Sequence, residues 1–269
     1  RSKSTKSIII PTLIERSGRR HIMVAQDLFR LFEWFYEGKL DVQCLNYGII
    51  TLLPKSADAT KIEQYRPICL LRCPYKLITK DMDIRVSKYA YKLFSVQQNA
   101  FIKGRHIVDG ILSLQEVLHY THIKKQVGVV LKLDFEKAYD KVNWDFLLDC
   151  HKKRGFNSKL CGWVSQILKN GTVSVKINDE IGPYIQSAKG VRQGDPHSPF
   201  LFDMAAECLT KMGLSAQKTA SLRVWRLTLL TEVLVSSNMR MIRWYVLNMT
   251  LIKLSMSNFC FTYLSSCQD

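Results

Sequence analysis

Asp134 is the residue of this chain whose position points most directly to chemistry. It stands at the end of the apolar run VGVVLKL, residues 127–133, which predicts a buried strand, and a helix is predicted directly after it over Glu136–Cys150. A carboxylate at the carboxyl end of a buried strand has a fixed direction and faces solvent, which suits a metal ligand. The same position suits a helix cap, and on position alone the cap is the favoured interpretation.

The other residues able to bind metals or act as nucleophiles form no organised set. The 8 cysteines include no Cys-x-x-Cys pair, and no group of His and Cys has the spacing of a zinc site. We interpret the cysteines as the reduced thiols of an intracellular protein.

Helical and extended segments must position these residues. Apolar residues at helical spacing predict the helices, and β-branched runs that end at turn residues predict the strands. The predicted helices cover Gln26–Glu37, Tyr75–Leu93, Ile111–Lys125, Leu160–Lys169 and Phe200–Met212, and the predicted strands cover Tyr47–Leu53, a segment that begins at Tyr65, Thr172–Asn178 and Pro183–Ala188.

The charge of the chain indicates the class of its partner. Lysine and arginine number 39 against 23 aspartates and glutamates, which gives a net charge of +16. A surplus of this size points to a polyanion, either nucleic acid or an anionic membrane surface. No stretch approaches the about 18 continuous apolar residues of a membrane span, so we expect no membrane partner.

Five strings resemble, in order and at matching spacing, the motifs of reverse transcriptases, in particular those of LINE-type (non-LTR) retrotransposons of plants. The resemblance covers roughly residues 27–218. A group II intron maturase shares the palm motifs, but the fingers strings are more similar to the LINE type. The strings are NYGIITLLPK (46–55) and YRPICLL (65–71) of the fingers, QNAFIKGRHIVDGIL (98–112) between fingers and palm, and LKLDFEKAYDKVNW (131–144) and GVRQGDPHSPFLF (190–202) of the palm.

This resemblance implies an α+β fold, namely an incomplete right-hand polymerase with an irregular C-terminal tail. It implies an unassigned segment 1–26, a fingers-like region 27–110, a partial palm 111–218 and a tail 219–269. The implied partners are an RNA template and a DNA primer, or an RNA–DNA hybrid, together with a dNTP. By analogy the protein is expected in the nucleus or cytoplasm, and the sequence does not indicate its oligomeric state.

The palm string implies the residues that carry the chemistry. Asp134 corresponds to the first catalytic metal ligand of a site for two Mg²⁺ ions, and the backbone carbonyl of Phe135 to an auxiliary ligand. Tyr139 occupies the position of the steric gate, where an aromatic ring excludes a ribose 2′-hydroxyl. Without the resemblance, packing within a helix explains Tyr139 equally well.

Other strings imply residues that bind the nucleotide. Lys55 and Arg66 correspond to fingers cations that contact its phosphates, although ordinary solvated charge is the simpler explanation of each alone. Gln193 and Gly194 correspond to the loop along the nascent base pair, where glycine permits close approach of the backbone. His197 departs from the family, which usually has Leu there, and we expect it to weaken the packing of this loop.

The second carboxylate cluster of the family, Tyr-Ala-Asp-Asp on a tight hairpin, occurs nowhere in the chain. Residues 219–269 contain neither Gly nor Pro, where about six are expected. Written as codons and shifted in frame, residues 238–243 give Tyr-Ala-Asp-Asp-Thr if Arg240 is encoded by CGG. Residues 261–269 give Tyr-(Ile/Leu)-Phe-Glu-Gln-Leu-Ser-Gly in the same frame, which also resembles the family. We infer a frameshift near residues 218–220.

Three functions follow from these observations. A degenerate RNA-directed DNA polymerase, inactive because its last catalytic motif is missing, is the leading prediction. The alternative is a non-catalytic nucleic-acid-binding remnant, and a structural role of the apolar tail has no positive support in the sequence. An out-of-frame tail should pack poorly or be disordered, and the palm sheet should then lack its central hairpin.

Overall fold

The computed structural model of the protein describes residues 22–125, 128–135, 137–218, 225–235 and 240–249, so segments 1–21 and 250–269 lie outside the described residues. Helices and strands are mixed along the chain, which confirms the predicted α+β class. The helices are α1 (Ile22–Glu37), α2 (Cys73–Ser87), α3 (Ala90–Leu93), α4 (Ile107–Ile123), α5 (Trp144–Lys153), α6 (Ser158–Lys169) and α7 (Ser198–Lys218), and the strands are β1 (Tyr47–Pro54), β2 (Tyr65–Leu71), β3 (Gly128–Phe135), β4 (Thr172–Ile177), β5 (Glu180–Ile181), β6 (Ile185–Gln186), β7 (Trp225–Val235) and β8 (Arg240–Met249).

The strands form two sheets. The first has the order β2-β1-β4-β5, with β6 also paired to β4, and its central pair β1–β4 is parallel whereas β1–β2 is antiparallel. The second has the order β3-β8-β7 and is antiparallel throughout. No helix among the described residues is long and apolar enough to cross a membrane.

In the described part of the chain, apolar residues of every helix except α4 form a core with the first sheet. Phe32 and Phe35 of α1 and Tyr75 and Met82 of α2 are almost fully buried in it. Leu201 of α7 belongs to the same cluster. The core therefore fixes the loop that precedes α7 relative to the strands.

Two predicted helices differ most from the observed ones. The helix predicted over Glu136–Cys150 begins only at Trp144, because Asn143 caps it by accepting a hydrogen bond from the amide of Phe146 at 3.0 Å. The helix predicted over Tyr75–Leu93 is divided into α2 and α3.

The expectation of a palm sheet without a hairpin is wrong for the described residues. Strands β7 and β8 form an antiparallel hairpin, and β8 pairs with β3 along its length. Their sequences, WRLTLLTEVLV and RMIRWYVLNM, are rich in β-branched and aromatic residues, which favour strands whatever reading frame produced them.

Candidate functional site

The loop with Gln193 and Gly194 is docked on strand β2. The amide of Cys69 donates a hydrogen bond to the carbonyl of Gln193 at 2.8 Å. Gly194 has a φ of +107°, and a Cβ at this position would lie 2.6 Å from the carbonyl oxygen of Cys69. Any larger residue would push the loop away from the strand, so glycine is needed here for contact with protein backbone, and its approach to a nascent base pair stays a prediction.

Lys55 and Arg66 lie at the end of the β1–β2 hairpin where the chain turns from β1 to β2. Arg66 pairs with Leu53 in the ladder, and the amide of Lys55 donates to the carbonyl of Gln64 at 2.8 Å. The ammonium of Lys55 donates to the carbonyl of Glu63. Arg66 precedes Cys69 by three positions, which is about 10 Å along a strand.

The structure therefore places four of the predicted residues along one pair of strands, with both cations at one end and the Gln193–Gly194 loop nearer the other. Their roles toward a nucleotide stay predictions.

Arg192 anchors this loop to the centre of the first sheet. Its guanidinium donates to the side-chain oxygen of Asn46 and, at 3.4 Å, to the carbonyl of the same residue. Asn46 is fully buried and donates to the carbonyl of Ile167 at 2.8 Å. A Cβ on Gly171 would lie 1.6 Å from the guanidinium, so Gly171 leaves the space that the guanidinium occupies.

The sequence prediction did not include Arg192. Its partner lies 146 residues earlier in the chain, so no local pattern reveals the contact. The available signal was its position directly before the predicted Gln193. A cavity of about 140 Å³ lies beside it, with Tyr75, Trp144 and Gln193 among the lining residues.

Tyr139 is packed inside the protein rather than facing a cleft. Its side chain is 2% exposed and stacks on Phe202, with ring centroids 4.5 Å apart. Its carbonyl accepts from the amide of Val191 at 2.8 Å, which ties it to the loop. Burial raises the pKa of its hydroxyl well above the ordinary value. This position matches the packing interpretation, although Tyr139 lies in a 3₁₀ turn and not in the predicted helix.

The start of the loop rests on the segment before α5. The indole of Trp144 donates to the carbonyl of Gly190 at 2.7 Å, which agrees with the core position predicted for this residue. The amide of Gly190 donates to the carbonyl of Val142 at 2.8 Å. Partial burial raises the pKa of the Asp140 carboxyl, and the nearby charge of Lys137 opposes this shift.

The end of the loop contains His197, a buried histidine whose side chain makes no hydrogen bond to the described residues. His197 is 0% exposed, and neither ring nitrogen has a partner in the described part of the chain. Burial lowers the pKa of His197 to about 3, so the ring is neutral, and it stacks on Phe200 with centroids 5.5 Å apart. Asp195 is buried beside it and accepts from the His197 amide at 3.1 Å. Burial raises the pKa of Asp195.

Asp134 and Phe135 end strand β3 in the second sheet. In the ladder Asp134 pairs with Ile242 and Phe135 with Met241. Their side chains lie outside the described set. No group of three or more His, Cys, Asp or Glu in the described residues could hold a metal ion.

The donor set opposite Asp134 does not fit a pair of Mg²⁺ ions. Strand β8, RMIRWYVLNM, contains no carboxylate, whereas such a site needs hard oxygen ligands from more than one residue. A complete two-metal centre therefore cannot be assembled from β3 and β8 of this chain.

Comparison with known proteins identifies the family. The profile of the reverse transcriptase (RNA-dependent DNA polymerase) family matches residues 53–221, which is more than half of the chain. The chain belongs to the reverse transcriptase family. The predicted resemblance to reverse transcriptases is thereby confirmed, and the relatives from transposable elements confirm that it extends to non-LTR retrotransposons.

The curated relatives are proteins of transposable elements. The chain is 29% identical over 188 residues to the transposon TX1 uncharacterized 149 kDa protein of Xenopus laevis, covering 69% of this chain and 14% of that protein. It is 28% identical over 163 residues to a Pol polyprotein of the R2 element of Popillia japonica, covering 57% of this chain and 21% of that protein. The chain thus spans about a seventh to a fifth of the length of these relatives.

Solved structures give weaker likenesses. Apo telomerase of Candida tropicalis, truncated from its C-terminal domain, has a TM-score of 0.49 at 13% identity over 76% of this chain and 44% of that chain. A partial Cas6-RT-Cas1–Cas2 complex has a TM-score of 0.42 at 12% identity over 90% of this chain and 36% of that chain.

Proposed function

We propose that this reverse transcriptase domain is a degenerate RNA-directed DNA polymerase of a LINE-type retrotransposon of plants and does not extend primers. The fingers correspond to residues 27–110 and the partial palm to 111–218. The observation that carries the proposal is the composition of β8, which presents no carboxylate opposite Asp134. Asp134 alone does not supply the ligands for two metal ions.

The proposal includes a frameshift near residues 218–220, with 219–269 translated out of frame. The register of the second sheet supports it. In the shifted frame, the codons for the two aspartates straddle residues 240–242, and residues 241 and 242 lie opposite Phe135 and Asp134. A chain read in that frame would carry carboxylates on the strand beside Asp134.

In a domain translated in the shifted frame after residue 218, each of the predicted residues would have a separate role. Asp134 and the carbonyl of Phe135 would hold Mg²⁺, which activates a primer hydroxyl and neutralises phosphate charge when it is bound. Lys55 and Arg66 would bind the nucleotide's phosphates.

The remaining predicted residues concern the base pair and the sugar. Gln193 and Gly194 would lie along the nascent base pair, and Tyr139 would exclude a ribose 2′-hydroxyl. In the present structure Tyr139 is buried against Phe202, so this last role requires the ring to become accessible.

Primer extension on an RNA template with dNTPs and Mg²⁺ tests the proposal. We expect no extension by the chain or by an Asp134→Ala control. Extension that disappears in Asp134→Ala would overturn the assignment of inactivity. In a matched variant, one base is inserted or removed near the codons for residues 218–220 so that the shifted frame is read from there. This variant should gain Asp134-dependent extension.

Sequencing of the coding DNA tests the frameshift separately. We expect CGG for Arg240. An AGA codon there would turn the first aspartate of the reconstructed motif into asparagine, and either AGA or AGG would turn its alanine into glutamate, so both codons would contradict the reconstructed motif.

A second candidate function is non-catalytic binding of nucleic acid, favoured by the net charge of +16. It predicts salt-sensitive binding with little sequence preference for RNA or an RNA–DNA hybrid. Absence of a gel shift at low salt would remove this candidate.

A further inference from the structure

One stretch outside the candidate site is both basic and aromatic. Residues 84–108 contain five Lys and Arg and no Asp or Glu, where roughly three acidic residues would be expected. Three of its aromatic side chains are largely exposed: Tyr89 at 58%, Tyr91 at 61% and Phe101 at 53%. We define the tyrosine–lysine surface as its exposed aromatic and lysine residues, which are Lys88, Tyr89, Tyr91, Lys92, Phe101 and Lys103.

The residues next to the exposed rings in the sequence are buried. Ala90, between the two tyrosines, is buried, as are Ala100 and Ile102 on either side of Phe101. Phe101 has a φ of +56°, which residues with bulky side chains rarely adopt. Its buried neighbours hold this conformation and direct the ring outward.

Hydrogen bonds join the two segments of the surface. The hydroxyl of Tyr91 donates to the carbonyl of Lys103 at 2.8 Å, and the Arg105 guanidinium lies 5.2 Å from the centre of the Tyr91 ring. Arg105 also donates to the carbonyl of Ser95 at 2.5 Å. Gly104 has a φ of +83°, and a Cβ there would lie 2.6 Å from the Tyr91 hydroxyl. The surface is therefore ordered before a ligand arrives, which lowers the entropy cost of binding.

We infer that the tyrosine–lysine surface binds single-stranded RNA. Exposed aromatic faces stack on unpaired bases with little sequence preference, and lysines beside them neutralise phosphates. None of its residues belongs to the predicted nucleotide site. The inference deepens the proposed nucleic-acid binding and rests on it.

The composition favours RNA over a protein partner. Lys88 and Lys92 flank the two tyrosines, and all four side chains are exposed. Lysine is depleted in the buried centres of protein interfaces because its ammonium is strongly hydrated. A polyanion, in contrast, uses both the rings and the charges.

Fluorescence anisotropy of the full chain with a labelled 16-nucleotide oligo(U) RNA tests the inference. Tyr89→Leu should weaken binding at low salt roughly tenfold, because one stacked base is lost, whereas Tyr89→Phe should bind like the parent. Tyr120→Leu is the matched control, because Tyr120 has a similar exposure on α4. It should change affinity less than twofold.

A lysine series tests the charged part. Changing Lys88, Lys92 and Lys103 together to Gln should reduce the slope of log K against log salt by about two, since each phosphate contact in a single strand contributes about 0.7. Lys152→Gln, on α5, should leave the slope unchanged. Circular dichroism confirms that each variant is folded.

The outcomes separate this surface from the proposed function. Equal RNA binding by Tyr89→Leu, the lysine variant and the parent would overturn the surface while leaving nucleic-acid binding by the chain intact. Absence of RNA binding by the parent would overturn both. If the variants lose binding to phosphatidylserine vesicles or self-association but keep their RNA affinity, the RNA assignment is also overturned.

Discussion

The two sheets of this protein differ in their pairing, mixed in the first and antiparallel in the second, and in where their strands lie relative to the family match. The reverse transcriptase profile matches residues 53–221, which include or adjoin the strands of the first sheet and β3 of the second. Strands β7 and β8 of the second sheet lie wholly beyond the matched residues. In the first sheet, long-range side-chain contacts such as Arg192 to Asn46 add to the ladder. The second sheet has regular strand pairing but no carboxylate on β8 opposite Asp134, so paired strands alone do not provide the ligands of a metal site.

The largest effect is expected from Val175→Pro in β4. Val175 pairs with Ile50 at the centre of the first sheet, where proline removes a ladder donor and crowds the neighbouring strand. The free energy of unfolding should fall by at least about 3 kcal/mol. Urea denaturation followed by circular dichroism measures this loss, and a change below about 1 kcal/mol would contradict the central role of this sheet.

Arg192→Met tests the anchor of the loop. The substitution leaves the buried side-chain oxygen of Asn46 without its charged donor, so the free energy of unfolding should fall by about 2–3 kcal/mol. Lys176→Met is the matched control, because its ion pair with Asp179 is exposed and should contribute less than about 1 kcal/mol. Equal losses in the two variants would show that the anchor does not stabilise the fold.

His197→Leu should stabilise the protein. Leucine removes two buried nitrogens without partners and fills similar space beside Phe200, so a gain of about 1–2 kcal/mol is expected. The melting temperature by differential scanning fluorimetry checks the direction. His119→Leu, at an exposed position, is the control and should have no effect of this size. A lower melting temperature for His197→Leu would mean that the imidazole makes a stabilising contact.

The same substitution should change the pH dependence of stability. The pKa of His197 is lowered to about 3, while an unfolded histidine titrates near ~6.5. Below pH ~6.5 the unfolded chain binds a proton at this residue and the folded chain does not. The free energy of unfolding therefore decreases as the pH is lowered, until His197 takes up a proton in the folded state as well. His151, whose pKa is also lowered by burial, acts in the same sense, and the raised pKa of Asp195 acts in the opposite sense.

The difference between His197→Leu and the parent isolates this residue. Their gap in free energy of unfolding should widen by about 2 kcal/mol between pH 6.5 and pH 5. Denaturation at the two pH values measures the gap, and a constant gap would show that the pKa of His197 is the same in the folded and unfolded states.

The smallest effect is expected from Val246→Pro in β8. Val246 lies in the central strand of the second sheet, opposite Val130 and Thr228. Its place in the sheet is therefore equivalent to that of Val175 in the first sheet. If the hairpin is out of frame, its side chains have not been selected for packing, and the loss should stay below about 1 kcal/mol. Hydrogen exchange should rise in β3, β7 and β8 but not in β1 and β2. A loss equal to that of Val175→Pro would argue against the proposed frameshift.

The sequence predicted the elements with strong local patterns. The helix predicted over Gln26–Glu37 and the strand predicted over Tyr47–Leu53 are present, because periodic apolar residues determine one and a β-branched run ending at Pro54 determines the other. The start of α5 was missed because the apolar spacing continues upstream of the cap at Asn143. The lack of glycine and proline in residues 219–269 predicts an irregular tail, whereas the β-branched and aromatic residues of β7 and β8 favour the hairpin that is present.

The candidate site was predictable only in part. Family strings pointed to Lys55, Arg66, Gln193 and Gly194, and the structure brings them to the β1–β2 strands. The burial of Tyr139 depends on Phe202 in a distant helix, which no local pattern reveals.

The contact between Arg192 and Asn46 has a consequence for the order of folding. It closes a loop of 146 residues, and the guanidinium reaches its place only where the starts of β1 and β4 are already side by side. Contacts that close long loops form after local ones because the chain must first lose more conformational entropy. We therefore expect the loop that carries Gln193 to dock late, after the helices and the β1–β2 hairpin have formed.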